Sequence, residues 1–508
     1  MATSTKADAQ LCIDTIRTLA IDAVQEANSG HPGMPMAMAP AAWVLYGEIM
    51  KHNPKDPDWP DRDRFVLSAG HGSMLLYAVL HLSGYELSLD ELKKFRQWGS
   101  LTPGHPERDR VHVTPGVEVT TGPLGQGFAN GVGMAMAEKF LREKFGPEVQ
   151  NHHTYAIVSD GDLMEGIAAE AASLAGQLGL GRIVYLYDDN DITLDGPASL
   201  SFTAEDRLKR FEAYGWHTLT VEDANDVDAL RHAIKAGKAE QERPTIISVK
   251  SIIGYGSPEQ GTSEVHGKAL GEANVRATKE TLGWDPDKTF YVPDGVYEAF
   301  APERGERLQA EWQERLDALD GDTRAAWDKA WAGRPDAGVA DVLPTWDVGD
   351  SVATRGAGGK VMAAFEAVTQ TMVGGAADLS ESTKTIFPKS EKYTREASGR
   401  NVFFGVREHG MGGAVNGMAA HGGIVRPYGS TFLQFADYMR GSIRLSALTG
   451  LPVAWVFTHD SVALGEDGPT HQPVEHHASL RAIPGLVYLR PADANETAEA
   501  WRVILEDL

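Results

Sequence analysis

The sequence predicts an α/β protein built from two doubly wound parallel-sheet domains. Short apolar runs alternate with segments of helical periodicity, as expected for buried parallel strands and their connecting helices. This pattern occurs on both sides of a stretch rich in Gly, Pro and Asp, and 508 residues are too many for one ordinary core. The predicted strands lie at 155–159, 183–187, 245–249, 373–374, 402–406 and 453–458.

The domain boundaries are placed where the apolar period is lost. Residues 1–325 form the first predicted domain, residues 326–350 a linker, and residues 351–508 the second domain. The first helix is predicted over 8–28 and ends in the tight loop SGHPG. The final residues, 501–508, have the composition of a mid-helix segment without a stop signal, so we expect a truncated or processed chain.

Charge and cysteine content exclude several classes of function. A formal net charge of −24 disfavours binding to nucleic acid or to anionic membranes. The sequence contains no run of about 18 apolar residues that would predict a membrane span, and its N-terminus does not resemble a secretory signal. Cys12 is the only cysteine, which favours a reducing, cytoplasmic compartment. We expect Cys12 to be a poor nucleophile because it lies in an ordinary amphipathic helix.

Two neighbouring predicted strands end in oxygen-bearing side chains. Asp160 and Gly161 follow the strand in TYAIVSDGDLMEG, and Asn190 follows the next strand in RIVYLYDDN. Adjacent parallel strands would bring these loops together at the edge where open α/β sheets bind ligands. Carboxylate and amide oxygens suit Mg²⁺ or Ca²⁺. Gly161 allows close approach of a phosphate, and a helix predicted to start near Leu163 would direct its N-terminus at the anion. The alternative is a pair of plain turns.

Six histidines lie in loops rich in Gly, Pro and Ser. They are His31, His71, His105, His266, His459 and His471. A single loop histidine is usually a solvated polar residue. A set of them in rigid turns can donate hydrogen bonds to carbonyls and hydroxyls and can carry protons near neutral pH.

The second half offers a carboxylate and an aromatic stripe. Glu408 lies where a predicted strand meets a Gly-rich helix, a position that can protect a carboxyl group and raise its pKa. The alternative for Glu408 is a surface salt bridge with Arg407. Phe432, Phe435 and Tyr438 have the i, i+3, i+6 spacing of one helix face. Such a stripe is more often core than cofactor site, but aromatic rings can also stack on a heterocycle.

Several of these segments together resemble the transketolase family. SGHPG, SAGH, TPGHPE with TTGPLGQG, and GEDGPTHQP occur in the family order, and the resemblance extends from the first helix to RPAD at 490–493. The family usually has Gly where this chain has Ser159. The resemblance implies the thiamine-diphosphate-binding fold, with a third C-terminal domain and one further phosphate-binding arginine lying beyond Leu508. It also implies thiamine diphosphate and Mg²⁺, or Ca²⁺ or Mn²⁺, as cofactors.

The resemblance implies a role for each matching position. The metal ligands would be Asp160, Asn190 and the backbone oxygen of Ile192. The residues at thiamine diphosphate would be His71, Gly122, Leu124, Asp160, Gly161, Glu165, Asn190, His266, Asp378, Glu408, Phe432, Phe435 and Tyr438. The residues at the substrate would be His31, His105, His266, Arg355, Ser382, His459, Asp467 and His471. The catalytic residues would be Glu408, His471, His31 and His266.

Some of these implied roles are more specific. Glu408 would hydrogen-bond the aminopyrimidine ring and favour its imino tautomer. Arg355 and Ser382 would hold the distal phosphate of the sugar, for which a bidentate guanidinium is well suited. Glu165 would link the two halves across a dimer interface. For Leu124, simple core packing is nearly as good an interpretation.

The activity implied is transfer of a two-carbon ketol unit, carried as a dihydroxyethyl group on thiamine, from a ketose phosphate to an aldose phosphate. Such chemistry belongs to the pentose phosphate pathway and the Calvin cycle. The family forms homodimers with active sites at the interface, so we expect a homodimer that binds sugar phosphates. Two alternatives stay open: dihydroxyacetone synthase, which uses formaldehyde as acceptor, and a catalytically incomplete cofactor-binding fragment.

Overall fold

The computed structural model describes residues 7–109 and 113–508. The chain divides into two compact units, each with a hydrophobic core. The first unit comprises Met1–Gly131, His152–Ala168 and Gly179–Glu314. The second unit comprises Val132–Asn151, Ala169–Leu178 and Arg315–Leu508.

Strands and helices alternate along the described residues. The strands are β1 (Arg64–Leu67), β2 (Thr154–Ser159), β3 (Ile183–Asp189), β4 (Ile192–Thr193), β5 (Gly196–Pro197), β6 (His217–Val221), β7 (Thr245–Lys250), β8 (Gly374–Ala376), β9 (Asn401–Phe403), β10 (Tyr428–Phe432) and β11 (Ala454–Thr458). The α-helices are α1 (Ala9–Glu26), α2 (Gly33–Trp43), α3 (Ser73–Leu82), α4 (Leu89–Lys93), α5 (Gln126–Phe145), α6 (Asp160–Met164), α7 (Gly166–Leu178), α8 (Arg207–Ala213), α9 (Val227–Ala239), α10 (Glu272–Thr281), α11 (Val296–Ala299), α12 (Glu303–Asp317), α13 (Gly321–Trp331), α14 (Thr354–Phe365), α15 (Ser380–Thr383), α16 (Glu408–His421), α17 (Arg440–Thr449), α18 (His476–Arg481) and α19 (Ala494–Arg502). Short 3₁₀ segments include Gly70–Gly72, Ser263–Val265, Ala340–Val342, Leu433–Asp437, Val462–Leu464 and Pro469–His471, and π-helical turns cover Val44–Ile49 and Val503–Asp507.

The first unit is organised around a five-stranded parallel sheet in the order β1-β2-β3-β7-β6. β2 and β3 are almost wholly buried, as expected for central strands covered on both faces. The strands predicted at 155–159, 183–187 and 245–249 are confirmed as β2, β3 and β7. Because all the strands are parallel, the loops after β1, β2, β3 and β7 leave the sheet at the same edge.

The second unit contains a four-stranded parallel sheet in the order β11-β10-β8-β9. Its strands are packed closely at Gly375, where a Cβ atom would lie 1.7 Å from the Val402 carbonyl oxygen, so only glycine fits. The strands predicted at 373–374 and 453–458 are confirmed. The strand predicted at 402–406 is shorter and ends at Phe403, because Gly405 adopts a φ of +69° that no strand permits. The predicted fold class of two parallel-sheet α/β domains is therefore confirmed.

The first predicted helix is confirmed as α1. Asp8 caps it, since its carboxylate accepts a hydrogen bond from the Leu11 amide at 2.8 Å. Cys12 is completely buried in the first core, and burial raises the pKa of its thiol to about 12. Cys12 is thus held as an unreactive thiol, in agreement with the sequence.

The segment predicted as a linker is more ordered than its composition indicates. Its start at residue 326 falls inside α13, which continues to Trp331. Further along, Val339 is fully buried in the core of the second unit, and its amide donates to Glu506 Oε1 at 2.6 Å. Leu343 and Trp346 also pack against this core, so the Gly- and Pro-rich segment is anchored although it lacks helical periodicity.

The final residues are helical, as the sequence predicts. α19 begins after Asp493, whose carboxylate accepts a hydrogen bond from the Glu496 amide at 2.9 Å, and Trp501 is buried in the second core. A π-helical turn, Val503–Asp507, follows. Among the helices formed by residues 7–109 and 113–508, none combines the length and the apolarity that crossing a membrane requires.

Candidate active site

The acidic loops of the first unit lie side by side at the carboxyl edge of the sheet. β2 and β3 pair in parallel with Ser159 opposite Asp188, so the residues that follow the two strands emerge at the same edge. α6, which begins at Asp160, lies beside β4, which begins at Ile192. The predicted juxtaposition of these loops is therefore observed.

The helix after β2 starts earlier than the sequence indicates. It begins at Asp160 rather than near Leu163, because Ser159 and Asp162 form a reciprocal capping box. The Ser159 hydroxyl accepts a hydrogen bond from the Asp162 amide at 3.4 Å, and Asp162 Oδ2 accepts one from the Ser159 amide at 2.8 Å. Ser159, the departure from the family pattern, thus acts as a helix cap.

Asp160 has the properties of a cation ligand. Its carboxylate is 3% exposed, its Oδ1 accepts a hydrogen bond from the Tyr187 hydroxyl, and its Oδ2 is buried without a hydrogen-bond partner. The pKa of Asp160 is raised to about 6, mainly by burial and also by Asp189 and Asp191, against the opposing effects of Tyr187 and Arg207. A buried carboxylate oxygen without a donor is an unfavourable arrangement that a bound cation would relieve.

Hydrogen bonds with Asp188 and Ile192 orient the side chain of Asn190. Its Nδ2 donates to Asp188 Oδ2 at 2.9 Å, while its Oδ1 accepts from the Ile192 amide at 3.0 Å and keeps a second lone pair. The pKa of Asp188 is raised to about 7, first by burial and also by Asp160. Several buried acids at one sheet edge, with an amide oxygen beside them, form the hard oxygen set that a divalent cation prefers.

Asp162 is a structural member of this site that the sequence reasoning missed. It is fully buried, and its Oδ1 accepts hydrogen bonds from Ser68 Oγ at 2.6 Å and from the Gly125 amide at 2.8 Å. Ser68 Oγ in turn accepts a hydrogen bond from the Phe128 amide at 2.9 Å. Asp162 therefore connects the loops after β1 and β2 with the start of α5. The Ser-x-x-Asp capping signature at 159–162 could have revealed it.

The loop that contains Gly122 and Leu124 packs closely against His105 and Gly161. A Cβ atom on Gly122, whose φ is +132°, would lie 3.2 Å from His105 Cγ. A Cβ atom on Gly161 would lie 2.7 Å from Leu124 Cδ1, so Leu124 covers Gly161. Glu165 follows α6 and is exposed.

Four of the predicted histidines form one cluster in the first unit. The ring centroid of His31 lies 5.3 Å from that of His71, 6.2 Å from that of His105 and 6.0 Å from that of His266, and the rings of His71 and His266 are 5.2 Å apart. Residues more than 200 positions apart in the sequence thus meet in one place. Their proximity supports a common binding surface.

Burial keeps the imidazoles of this cluster neutral. It lowers the pKa of His31 to about 4 and that of His71 to about 3, and it lowers the pKa values of His105 and His266. At pH 7 these rings therefore act as hydrogen-bond donors and acceptors rather than as cations. His266 Nδ1 is buried without a hydrogen-bond partner and so has its bonding capacity available.

Arg96 is a second residue that sequence reasoning missed. It has a left-handed backbone, with a φ of +63°, and one of its terminal nitrogens lies 3.4 Å from His31 Nδ1. Arg96 also lowers the pKa values of His31 and His105. It supplies a positive charge at the edge of the neutral histidine cluster. No local signal in the sequence distinguishes it from a surface arginine.

Glu408 lies in a protected position in the second unit. It is the first residue of α16 and is 8% exposed. Burial raises the pKa of Glu408, and the neighbouring Glu170 raises it further, which outweighs the stabilisation expected for a carboxylate at a helix N-terminus. The Arg407 guanidinium instead donates to Phe404 O and Ser173 Oγ, both at 3.0 Å. In the part of the chain that is described no Arg407–Glu408 salt bridge forms, so the alternative interpretation of Glu408 is wrong.

The aromatic residues do not share one helix face, contrary to the sequence interpretation. Phe432 ends β10, Phe435 lies in the 3₁₀ segment Leu433–Asp437, and Tyr438 follows it. The change from extended to 3₁₀ backbone after Phe432 accounts for the difference. The rings of Phe432 and Phe435 are nevertheless stacked at 5.9 Å, and Tyr438, 67% exposed, lies 6.0 Å from Phe435.

Two histidines complete this aromatic group. The His459 ring is 3.7 Å from that of Phe432, and the His471 ring is 5.3 Å from that of Phe435. His459 has a left-handed backbone, with a φ of +57°. Flat rings beside hydrogen-bonding imidazoles suit a planar heterocycle with polar edges.

Arg355, Ser382 and His459 meet at a third point of the second unit. Arg355 donates to the Ser382 carbonyl at 3.3 Å and lies 3.4 Å from His459 Nε2. Burial lowers the pKa of His459 and Arg355 lowers it further, whereas the exposed Asp467 raises it. Asp378 follows β8 with a left-handed φ of +62° and is exposed. The first three residues form a cationic and hydrogen-bonding group suited to a phosphate.

Two family descriptions match almost the whole chain. "Transketolase, thiamine diphosphate binding domain" matches residues 8–329, and "Transketolase, pyrimidine binding domain" matches residues 350–507. The chain is 54% identical to the transketolase of Geobacillus stearothermophilus over 508 residues, which are 98% of this chain and 75% of that protein. It is 50% identical to the transketolase of Bacillus subtilis over 517 residues, covering 97% of this chain and 75% of that protein.

Solved transketolase structures have the same fold. The Leishmania mexicana enzyme superimposes with a TM-score of 0.96 and 45% identity, over 99% of this chain and 76% of that one. The Pichia stipitis enzyme in complex with sedoheptulose 7-phosphate superimposes with a TM-score of 0.95 and 43% identity, over 98% of this chain and 75% of that one.

The raised pKa of Asp160 predicts a pH-dependent gain in stability for the Asp160→Asn variant. The folded pKa of Asp160, about 6, exceeds its unfolded value of about 4. The free energy of unfolding of the wild type therefore falls as the pH rises between these two values. With divalent cations chelated, the variant should therefore be more stable at pH 8 by about 2–3 kcal/mol, and the difference should disappear below about pH 4. Thermal unfolding as a function of pH measures this effect.

Asp195→Asn is the matched control, because Asp195 is an exposed acid in the neighbouring loop. It should change the melting temperature little at any pH. Equal stability of Asp160→Asn and wild type at pH 8 would contradict the electrostatic account of the site.

Proposed function

This chain belongs to the transketolase family, and from that premise we infer that it transfers a two-carbon ketol unit from a ketose phosphate to an aldose phosphate with thiamine diphosphate as cofactor. The observation that carries this conclusion is the pair of residue groups described above. The first unit gathers acidic oxygen ligands and neutral histidines, and the second gathers a protonatable glutamate and stacked aromatic rings.

We propose that the carboxyl edge of the first sheet holds the diphosphate through a divalent cation. Asp160, Asn190 and the backbone oxygen of Ile192 would be the protein ligands. The buried Asp160 oxygen without a hydrogen-bond partner supports this role, because it fits a cation. Gly161 leaves room for a phosphate at the start of α6, and Leu124 packs over it. Mg²⁺ suits this oxygen set, and Ca²⁺ or Mn²⁺ could replace it.

We propose that the histidine cluster binds the reacting end of the substrate. Neutral imidazoles can donate hydrogen bonds to a carbonyl and accept them from hydroxyls without adding charge. His31 and His266 would contact the reacting carbonyl or hydroxyl, His105 the first hydroxyl, and His71 the diphosphate. The lowered pKa values of all four rings support this role.

We propose that Glu408 holds a proton at a ring nitrogen of the aminopyrimidine. Its raised pKa supports this, because burial favours the protonated carboxyl group, the form that can donate a hydrogen bond to a ring nitrogen. Phe432, Phe435 and Tyr438 would contact the faces of the ring, and His471 would move or hold a proton at a substrate hydroxyl. Thiamine diphosphate, when bound, supplies the nucleophilic carbon for the transfer.

We propose that Arg355, Ser382 and His459 bind the distal phosphate of the sugar. The Arg355 guanidinium lies within hydrogen-bonding distance of the Ser382 carbonyl and beside the His459 imidazole, which supports this assignment. Asp467, exposed and close enough to His459 to raise its pKa, would accept a hydrogen bond from a sugar hydroxyl. Asp378 would lie near the linker of the cofactor.

Sugar phosphates are the proposed substrates. Structures of the Pichia stipitis enzyme are described in complex with sedoheptulose 7-phosphate, and those of its variants with fructose 6-phosphate and xylulose 5-phosphate. We propose that this chain accepts ligands of the same class, in a reducing cytoplasmic compartment as the single buried Cys12 favours.

We propose a homodimer in which residues 1–325 of one subunit and 351–508 of its partner form each active site, with 326–350 as the connection. Exposed apolar side chains beside the proposed site residues support a covered surface: Val406 is 75% exposed and Tyr438 67% exposed. Glu165, exposed at the end of α6, would contact the partner across this interface.

Replacing Glu408 with Gln should abolish most turnover while leaving the fold intact. The amide cannot exchange the proton that the carboxyl group provides, so kcat should fall by at least about 100-fold. Steady-state assays with thiamine diphosphate, Mg²⁺ and a ketose phosphate donor measure the effect, with ribose 5-phosphate and formaldehyde compared as acceptors.

Glu396→Gln, an exposed acid of the same unit, is the control and should retain wild-type activity. Undiminished turnover by Glu408→Gln would remove Glu408 from the catalytic residues. A preference of the wild type for formaldehyde would favour dihydroxyacetone synthase, and cofactor binding without transfer would favour a catalytically incomplete fragment.

A mixture of two inactive variants should recover activity if each site is shared between subunits. Asp160→Asn and Glu408→Gln impair different halves, so a mixed dimer contains one intact site and one doubly substituted site. After subunit exchange, an equimolar mixture should show about a quarter of the wild-type activity, since half of the dimers are mixed and each has one working site. Exchange can be verified by native mass spectrometry. No recovery despite verified exchange would contradict the shared site.

A further inference from the structure

A second group of metal-ligating side chains lies in the second unit, apart from the acids of β2 and β3. Its centre is His476, the first residue of α18, which is 1% exposed. Neither ring nitrogen of His476 has a hydrogen-bond partner among the described residues. A buried imidazole whose two nitrogens lack partners is unfavourable and needs a physical explanation.

Two carboxylates face this imidazole. Asp437 Oδ2 lies 3.1 Å from His476 Nε2, out of hydrogen-bond geometry, and one ligand atom each of Asp437, Glu475 and His476 fall within 4.8 Å of one another. In the part of the chain that is described, neither carboxylate forms a salt bridge with Lys or Arg. The group therefore combines two acids without Lys or Arg partners and one buried imidazole whose nitrogens have no hydrogen bond of good geometry.

The spacing of these atoms suits a single coordinated ion. Two ligands of a tetrahedral zinc ion, each bonded at about 2.0–2.2 Å, lie roughly 3.3 Å apart. The 3.1 Å separation of Asp437 Oδ2 and His476 Nε2 is close to that value, and a carboxylate oxygen of the exposed Glu475 lies within 4.8 Å as a third ligand. An imidazole nitrogen with two carboxylate oxygens favours Zn²⁺ over Mg²⁺, which takes six oxygen ligands.

We propose that His476, Asp437 and Glu475 form a binding site for a zinc-class divalent cation, with water completing the coordination. Its ligands differ from those proposed for the cation in the first unit, since an imidazole nitrogen here takes the place of an amide or backbone oxygen. It does not depend on the transfer reaction.

The ion would connect two segments that carry proposed active-site residues. Asp437 ends the 3₁₀ segment that contains Phe435, and His476 begins α18 five residues after His471. The rings of Phe435 and His471 already lie 5.3 Å apart. A cation bound between Asp437 and His476 would fix the two segments that place these rings and so stabilise the aromatic group.

The experiment measures zinc binding to the full chain with thiamine diphosphate and Mg²⁺ present in excess. Equilibrium dialysis against micromolar Zn²⁺, with metal content determined by mass spectrometry, gives the stoichiometry and affinity. Co²⁺ added in place of Zn²⁺ reports the coordination geometry through its visible absorption. The variants are His476→Gln and Asp437→Asn; the second changes a side chain that is 56% exposed and so preserves the fold.

His477→Gln is the matched control. This neighbouring histidine has partners of its own, since its ring nitrogens contact the Tyr488 hydroxyl at 2.6 Å and the Asp460 carbonyl at 2.7 Å. The wild type and His477→Gln should bind one more equivalent of Zn²⁺ than His476→Gln, and Asp437→Asn should bind it at least about tenfold more weakly. Equal stoichiometry and affinity in all four proteins would overturn the proposal. So would a loss of binding in His477→Gln as large as that in Asp437→Asn.

Discussion

Burial of the Asp160 carboxylate at the end of β2 is the constraint on which the first half of the site depends. Parallel pairing with β3 places further acids beside Asp160, and burial makes their charges unfavourable in a chain whose net charge is already −24. Tyr187 and Arg207 stabilise only the Oδ1 atom of this carboxylate, because Asp160 Oδ2 has no hydrogen-bond donor. A divalent cation held by Asp160, as we propose, would relieve this imbalance and would allow a diphosphate to bind beside it.

Two aspartates in one short helix show how environment assigns function. Asp162 accepts hydrogen bonds from Ser68, Gly125 and Ser159, so both of its oxygens have donors within the protein and it fixes the loops. Asp160, two residues earlier, is left with an unpaired oxygen and is available to a ligand. Environment also determines the role of the clustered histidines. Burial favours the neutral form of their rings, and a neutral imidazole still donates and accepts hydrogen bonds.

Much of the fold could be predicted because it depends on local patterns. The apolar runs that form β2, β3 and β7 are continuous, and the loop histidines lie in rigid turns that the sequence displays directly. The errors arose where one residue changes the backbone locally, as Gly405 does after β9 and as the 3₁₀ turn does after Phe432. Composition also does not reveal the packing of Val339, Leu343 and Trp346 against the second core from within the segment predicted as linker.

Three functional candidates that sequence reasoning missed have no local signal, unlike Asp162. Arg96, Glu170 and His476 acquire their roles from partners distant in the sequence or from burial, which no local spacing encodes. Glu170 is an example: its carboxylate accepts a hydrogen bond from the Gly410 amide at 2.6 Å and raises the pKa of Glu408 from 238 positions away. Such coupling becomes visible only once the chain is folded.

The most direct test of the acidic cation site is the position of the metal itself. Crystals grown with thiamine diphosphate and Mn²⁺ would locate the ion by anomalous scattering. The account predicts a peak about 2.0–2.6 Å from oxygens of Asp160, Asn190 and the Ile192 backbone. An ion bound elsewhere in the first unit, or one that Asp160 contacts without Asn190, would contradict it.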